Sequence, residues 1–559
     1  MRFFTFLLKV FRGYDSRDKL LTAGGLLVIL LMLVKMLVFP YGFFGFGDSN
    51  VYTEGMVSRN GIQNLNPLFV DYNEADREIS SLVFSGLMKY DPSTKSVVDD
   101  MAALSVNVDK TQYTFVLRQG LKWHDGANLT ADDVFFTYND LVMSPSFPNE
   151  ILKTNFAGVK VEQLDERTVK FTLEKPNVFF VNNLTLGILP KHLLSDVDAY
   201  DLLQNEFNKQ PVGSGPYMVV EPPVNFSDGR MQVSLERNPF YYGPVSDIKL
   251  FRFIVYTSFD DLIKDTNVFN SAVKVTGDYA DYFKEDDRFE LIEYELPQYT
   301  AVFMNMESEA LKDVIGLRSA LRSAVDKKSL VGGLFGKVPV EIPLMELNQE
   351  DWVSKYDVEA AGKSLTDAGY VYEATDTEFT GLRYKDGKPL ELIFLARLYD
   401  EGSVQFNETQ AVLTFLQDSW LKIGVDVRID LVPSDVFKGR IMQRDYDLLL
   451  VGQGLGYNLD TYSYWHSTQA NPNGQNLSNY KSFQVDSLIE EIRTVFELSK
   501  KEENLKAIAT KLKEDIPAIF LYRPIYYYAS DGKIDGVDLG GVVFPNDRFS
   551  NISDWRFTR

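Results

Sequence analysis

The chain has 559 residues, of which 45% are hydrophobic, 13% aromatic and 24% charged, and it contains no cysteine. This is a globular composition with room for three or four ordinary domains, or for one large body of interleaved lobes. It excludes a wholly disordered, collagen-like or polytopic membrane chain, and the missing cysteines exclude disulfides, zinc–thiolate sites, iron–sulfur clusters and cysteine nucleophiles. The net charge of −22 is unevenly spread: residues 1–19 hold five basic and two acidic groups, whereas the chain after Pro40 holds 51 basic and 77 acidic ones. An acidic body repels phosphates, so no nucleic-acid partner is expected.

Residues 20–39 read LLTAGGLLVILLMLVKMLVF. As a helix this run spans about 30 Å, the thickness of a bilayer core. Its single charge, Lys35, sits near the far end, where the side chain can snorkel to the interface. The basic flank predicts that residues 1–19 stay cytoplasmic and that the acidic body faces outward. No small-x-small cleavage site follows, so an uncleaved single-pass anchor is expected, with 40–47 as a Gly- and Phe-containing stalk.

Beyond residue 48, strand and helix signals mix. Residues 113–118 and 168–173 alternate as half-buried strands. Thr130 is placed to cap a helix that has Asp133 in its first turn. Residues 313–323 and 358–368 read as amphipathic helices, the second stopped by Gly369. Residues 410–423 predict a helix ended at Gly424 and followed by a strand over 425–431. Residues 487–512 read as one long helix. There is no internal repeat. The pattern is α/β.

Signals for enzyme chemistry are thin. The three histidines, His124, His192 and His466, share no short ligand spacing, and no HExxH is present. His124 precedes Asp125-Gly126, a turn signal, and reads as a surface turn residue. Trp123 beside it reads as packing. Gly213-Ser-Gly-Pro216 lacks the spacing of a nucleophile elbow, and residues 452–456 (GQGLG) lack the lysine of a phosphate loop. No catalytic residue, metal or cofactor is expected.

At residues 113–141 the sequence resembles a known family. The run YTFVLRQGLKWHDGANLTADDVFFTYNDL is similar to the signature of the family 5 extracellular solute-binding proteins, the peptide- and nickel-receptor class of ABC importers. Other stretches agree in order: 65–69 (LNPLF), 82–91 (LVFSGLMKYD), 211–217 (PVGSGPY), 235–241 (LERNPFY), 315–330 (IGLRSALRSAVDKKSL), 356–370 and 421–425 (LKIGV). The resemblance covers about residues 50 to 530.

It implies an α/β, periplasmic-binding-protein-like fold of two lobes joined by two chain crossings, with an extra subdomain. Lobe I is expected in 48–85, 211–300 and 525–559, the subdomain in 86–210 and lobe II in 301–524. A ligand, most simply an oligopeptide, is expected in the interlobe cleft, delivered to ABC permease subunits by a monomeric receptor. The same fold also accommodates a metal chelate, haem, an opine or a sugar, or a sensor without an importer. By resemblance, Arg397 in 396–399 (ARLY) is the candidate for a ligand carboxylate, with Tyr399 beside it. The loop 451–460 (VGQGLGYNLD) matches the place where dipeptide receptors carry an amine-binding aspartate. Tyr457 or Gly456 stands there instead, and Asp460 matches a later turn residue. Gly452, Gln453 and Gly454 are expected to offer backbone hydrogen bonds, and Trp465, with Tyr462 and Tyr464, either walls the pocket or belongs to the core.

Overall fold

The computed structural model describes residues 50–70, 73–372, 381–457 and 460–558. The expected anchor and stalk over 20–47 lie outside the described residues. Among the described residues no helix is long and apolar enough to cross a membrane.

In chain order, β1 (Val51–Val57) leads to α1 (Glu74–Val83), which is capped by the Asn73 side chain. A separate antiparallel sheet follows, built from β2 (Ala102–Val106), β3 (Gln112–Leu117), β4 (Lys160–Gln163) and β5 (Thr168–Thr172) in the order β2-β3-β5-β4. The alternation read at 113–118 and 168–173 is the alternation of this sheet: Tyr113, Phe115 and Leu117 point inward, as do Val169 and Phe171. Between β3 and β4, α2 (Ala131–Phe135) starts with a capping box in which Thr130 and Asp133 satisfy each other's backbone N–H.

Next come β6 (Tyr217–Val219), β7 (Met231–Arg237), β8 (Leu250–Tyr256), β9 (Ser271–Thr276), β10 (Glu290–Glu295) and β11 (Gln298–Met304). Helix α3 (Ile315–Ser323), β12 (Lys337–Pro339), α4 (Val358–Asp367), β13 (Glu391–Arg397), α5 (Val404–Leu421), β14 (Asp426–Val432) and β15 (Leu448–Gly454) follow. Finally α6 (Phe483–Thr494) and α7 (Leu498–Asp515) lead to the 13-residue strand β16 (Ala518–Ser530).

The main sheet runs β14-β13-β15-β11-β16-β9-β1-β8-β7-β6. Strand β16 changes partners along its length. Its first part pairs with β11, as Phe303↔Ala518 and Thr300↔Tyr522, and its second part pairs with β10 and β9, as Glu295↔Ile525 and Thr276↔Tyr526. The switch at residues 523–525 lies beside Leu296-Pro297, which separates β10 from β11. The apolar cores divide at the same places. Two clusters draw on residues between 52 and 296 and on 526–555, and two others on 299–522 with Phe179. Two cores are thus joined by two adjacent strands.

Several local readings are corrected. The helix expected over 487–512 is two helices, broken where Val495 and Glu497 take extended backbone and the chain folds back. The helix expected from residue 410 begins at Val404, because the Ser403 side chain caps it. The helix expected from 313 begins at Ile315, since Asp313 is left-handed at φ 56°. His124 is buried. Its Nδ1 accepts from the Gly213 N–H at 3.1 Å, and its Nε2 lies 3.2 Å from the Gly215 carbonyl, to which it donates. Both ring nitrogens are used in the neutral form, and burial lowers the pKa to about 4. The segment it grips runs against α1: a Cβ on Gly213 would sit 2.0 Å from the Val83 carbonyl oxygen, and one on Gly215 2.4 Å from that of Leu82. The glycines serve close approach.

Candidate ligand-binding cleft

Three confluent cavities lie between the two cores. The largest, about 560 Å³, is walled by Glu74, Glu78 and Lys274 from one core and by Glu401, Ser403 and Gln405 from the other. A second, about 360 Å³, lies along the crossing strands at Thr276, Thr300, Gly452, Gly454 and Tyr526. A third, about 130 Å³, is lined by Arg397, Tyr399, Glu408, Gly452 and Tyr522. The first two share Thr276, Gln405 and Tyr526, and the last two share Thr300, Glu408 and Gly452, so together they form one trough.

Strand β15 supplies the floor. It pairs with β11 along its whole length, from Gln298↔Gly454 to Met304↔Leu448, but with β13 only at Phe394↔Leu448 and Leu395↔Leu449. Beyond Leu449, the edge of β15 that faces β13 has no strand partner among the described residues. A free strand edge is a template for an extended chain. At the tip of β13, the Arg397 guanidinium lies 4.9 Å from the Tyr399 ring centroid, and its buried Nε has no hydrogen-bond partner among the described residues. A buried donor left unmatched is unfavourable, and this one borders the trough.

The other charges of the trough are largely paired. Lys337 meets Glu408 at 2.8 Å, and Glu408 also accepts the Tyr522 hydroxyl at 2.7 Å. Lys274, left-handed at φ 55° in a β9 bulge, reaches both oxygens of Glu74 at 2.6 and 2.8 Å. Burial opposes the Lys274 charge, but Glu74, Tyr526 and Glu78 together outweigh it and the pKa is raised. Glu78 sits behind Glu74 on α1; burial pushes it up to about 8, against the pull of Arg548.

Three contacts bridge the two cores beside the trough. Arg59 meets Asp400 at 2.7 Å. The Tyr457 hydroxyl donates to Asp547 Oδ1 at 2.6 Å, and its ring stacks on Tyr90 at 4.9 Å. The Val178 N–H donates to the Arg493 carbonyl at 2.8 Å.

Of the residues singled out from sequence, Arg397, Tyr399, Gly452, Gln453 and Gly454 line the trough. The Gln453 side chain is held inside by Tyr299 at 2.6 Å and by the Gln475 carbonyl, which leaves its backbone to face a ligand. Tyr457 is spent on the Tyr90–Asp547 contact and borders two other cavities, of about 190 and 280 Å³. Asp460 pairs with Arg493 at 3.3 Å and accepts from the Tyr462 N–H, so it lies off the trough. Trp465 is 1% exposed and packs against Phe303 and Phe520, a core position. Sequence reading missed Glu74, Glu78, Lys274 and Glu408. The first two carried a signal: like charges at i and i+4 on one helix face repel unless something is placed to answer them.

Residues 96–475 match the family model described as bacterial extracellular solute-binding proteins, family 5 Middle. The chain belongs to that family. It is therefore a substrate-binding receptor of the ABC-importer class, whose members are extracytoplasmic, and not an enzyme. Among family 5 relatives, the oligopeptide-binding protein AppA of Bacillus subtilis (strain 168) is 28% identical over 502 residues, covering 86% of this chain and 88% of that protein. The probable D,D-dipeptide-binding periplasmic protein DdpA of Escherichia coli (strain K12) is 23% identical, covering 85% and 89%. The structure of NikZ from Campylobacter jejuni in complex with Ni(L-His) superimposes with a TM-score of 0.71 at 27% identity, covering 91% of this chain and 100% of that one. Bacillus subtilis AppA in complex with a nonapeptide gives 0.72 at 24%, covering 91% and 99%.

Proposed function

We propose that this receptor captures peptides in the trough between two lobes and presents them to its permease. The lobes are the two cores. Lobe I holds the residues up to 296 and from 526, with the four-stranded sheet as its extra subdomain, and lobe II holds the residues between. The single observation that carries the reading is the bare edge of β15 beyond Leu449, ending beside the unmatched Arg397. The edge offers backbone hydrogen bonds to an extended chain of any sequence, and the guanidinium offers a forked donor to its terminal carboxylate. The proteins named for oligopeptide and dipeptide binding among the relatives support this choice.

Residues 20–39 tether the receptor as a single-pass anchor, with the acidic body outside and monomeric. A tethered receptor samples its permease at high effective concentration. The Ni(L-His) complex of NikZ supports a second reading, in which a small metal chelate fills the same trough.

The test is native mass spectrometry of the full-length chain, extracted in detergent without refolding. A retained series of peptide masses that disappears in Arg397→Ala is expected. A single retained chelate or other non-peptide mass would overturn the peptide reading.

A further inference from the structure

The 560 Å³ chamber keeps a negative excess once its ion pairs are set aside. Arg59 is taken by Asp400 and Lys274 by Glu74. Asp260 and Glu401 remain on the walls, and the Glu78 carboxyl opens on the same chamber. Behind Glu78 the fully buried Arg548 faces two carboxylates at once, Glu54 and Glu78. Glu54 is the better served, since it binds Arg548 and also accepts Ser271 Oγ at 3.1 Å and the Tyr528 hydroxyl at 2.9 Å. Glu78, 2% exposed, has its Oε2 2.6 Å from Arg548 Nη1, but neither of its carboxyl oxygens makes a hydrogen bond among the described residues. Thr276 Oγ1, on the same chamber, also has none. The trough therefore ends in an unmatched acceptor at one extreme and, at Arg397, an unmatched donor at the other.

We propose that the 560 Å³ chamber is the cation-accepting end of the trough, where Glu78 Oε1 receives an ammonium or guanidinium group of the ligand. This rests on the peptide reading and gives the bound peptide a direction, with its cationic group at Glu78 and its carboxylate at Arg397. It moves recognition of positive charge onto lobe I, away from the 451–460 loop, where Tyr457 is otherwise engaged.

The charge environment agrees. Glu78 is faced by Arg548, by Glu54 on β1, by Glu74 on its own helix, by Lys274 on β9 and by Tyr294 on β10. Without a ligand cation, burial holds its pKa near 8, so the group is protonated at neutral pH. A cation seated at Oε1 favours the carboxylate, and binding then expels one proton.

The experiment captures random-sequence pentapeptide pools on the full-length receptor in detergent, with free, N-acetylated or C-amidated termini, and identifies the bound members by mass. At least tenfold weaker capture of the acetylated pool is expected if the N-terminal ammonium fills the chamber. Retention of only its Lys- and Arg-containing members is expected if a side chain does. Either pattern should vanish in Glu78→Gln. Equal capture of free and acetylated pools, without basic enrichment, would overturn the proposal while leaving the peptide reading intact. Capture of no pool would overturn both. Should Glu78→Gln not fold, the wild-type pH profile decides. Between pH 5.5 and 7, where a peptide amine stays charged, affinity for the free pool should rise by up to about tenfold per pH unit; a flat profile would overturn the assignment.

Discussion

Arg548→Met removes the cation at the root of the cleft. The guanidinium is 0% exposed, and so is its partner Glu54; Glu78 is 2% exposed. Burial works against the Arg548 charge, and the two carboxylates more than reverse that effect. Methionine fills similar volume but leaves both acids without a counter-ion. Removing one partner of a buried ion pair costs about 3–5 kcal/mol. A loss within that range is expected at pH 7, because the buried Glu54 is left without its counter-ion. Glu54 keeps the Ser271 and Tyr528 hydrogen bonds, whereas Glu78 keeps nothing and stays protonated to higher pH.

The pH dependence follows in sign. Glu78 in the folded wild type sits near 8, above its ordinary value of 4.5. Its contribution is fully present below about pH 4.5 and is lost as pH rises towards 8. Without Arg548 the folded value climbs further, so the deficit of the variant should stay level from pH 5 to 7, where Glu78 is protonated in both folded proteins, and widen only as pH rises through about 8. Urea unfolding of both proteins at pH 5, 7, 8 and 9 measures this. A deficit under about 1 kcal/mol at pH 7, or one that shrinks as pH rises, would refute the reasoning.

Trp465→Ala should cost about 3–5 kcal/mol in urea unfolding, as large-to-small core changes do, and leave peptide affinity of the folded fraction unchanged; lost affinity at unchanged stability would return Trp465 to the ligand wall. Gly213→Ala places a methyl against the Val83 carbonyl and should lower stability by about 2 kcal/mol or more, with reduced thermal midpoint as the readout. A neutral substitution there would show that the close approach to α1 is not needed.

How far the sequence reaches depends on how local each cause is. The strands at 112–117 and 168–172 were legible because a two-sided sheet imposes alternation, and the Thr130 start because a capping box is four residues long. The break at Val495 was not, since no Gly or Pro marks it and packing of α6 on α7 decides it. His124 looked like a turn residue because its partners, Gly213 and Gly215, lie some ninety positions away. The trough is harder still. Resemblance pointed to Arg397 and to the β15 edge, but Glu78 and Arg548 are distant in the chain and meet only where residues 545–554 return to pack against α1. Asp460 and Tyr457 carry side chains suited to a ligand, yet their nearest partners, Arg493 and Asp547, are protein groups.

The central claim is that two lobes close on a peptide. Because the chain has no cysteine, Tyr282→Cys and Val436→Cys place one exposed label on each lobe. Electron–electron distance measurement on the doubly spin-labelled full-length receptor then reads the cleft directly. Addition of the free pentapeptide pool should convert a broad distribution into a shorter and narrower one, and Arg397→Ala should need more peptide to reach it. An unchanged distribution at peptide concentrations that saturate binding would contradict the account.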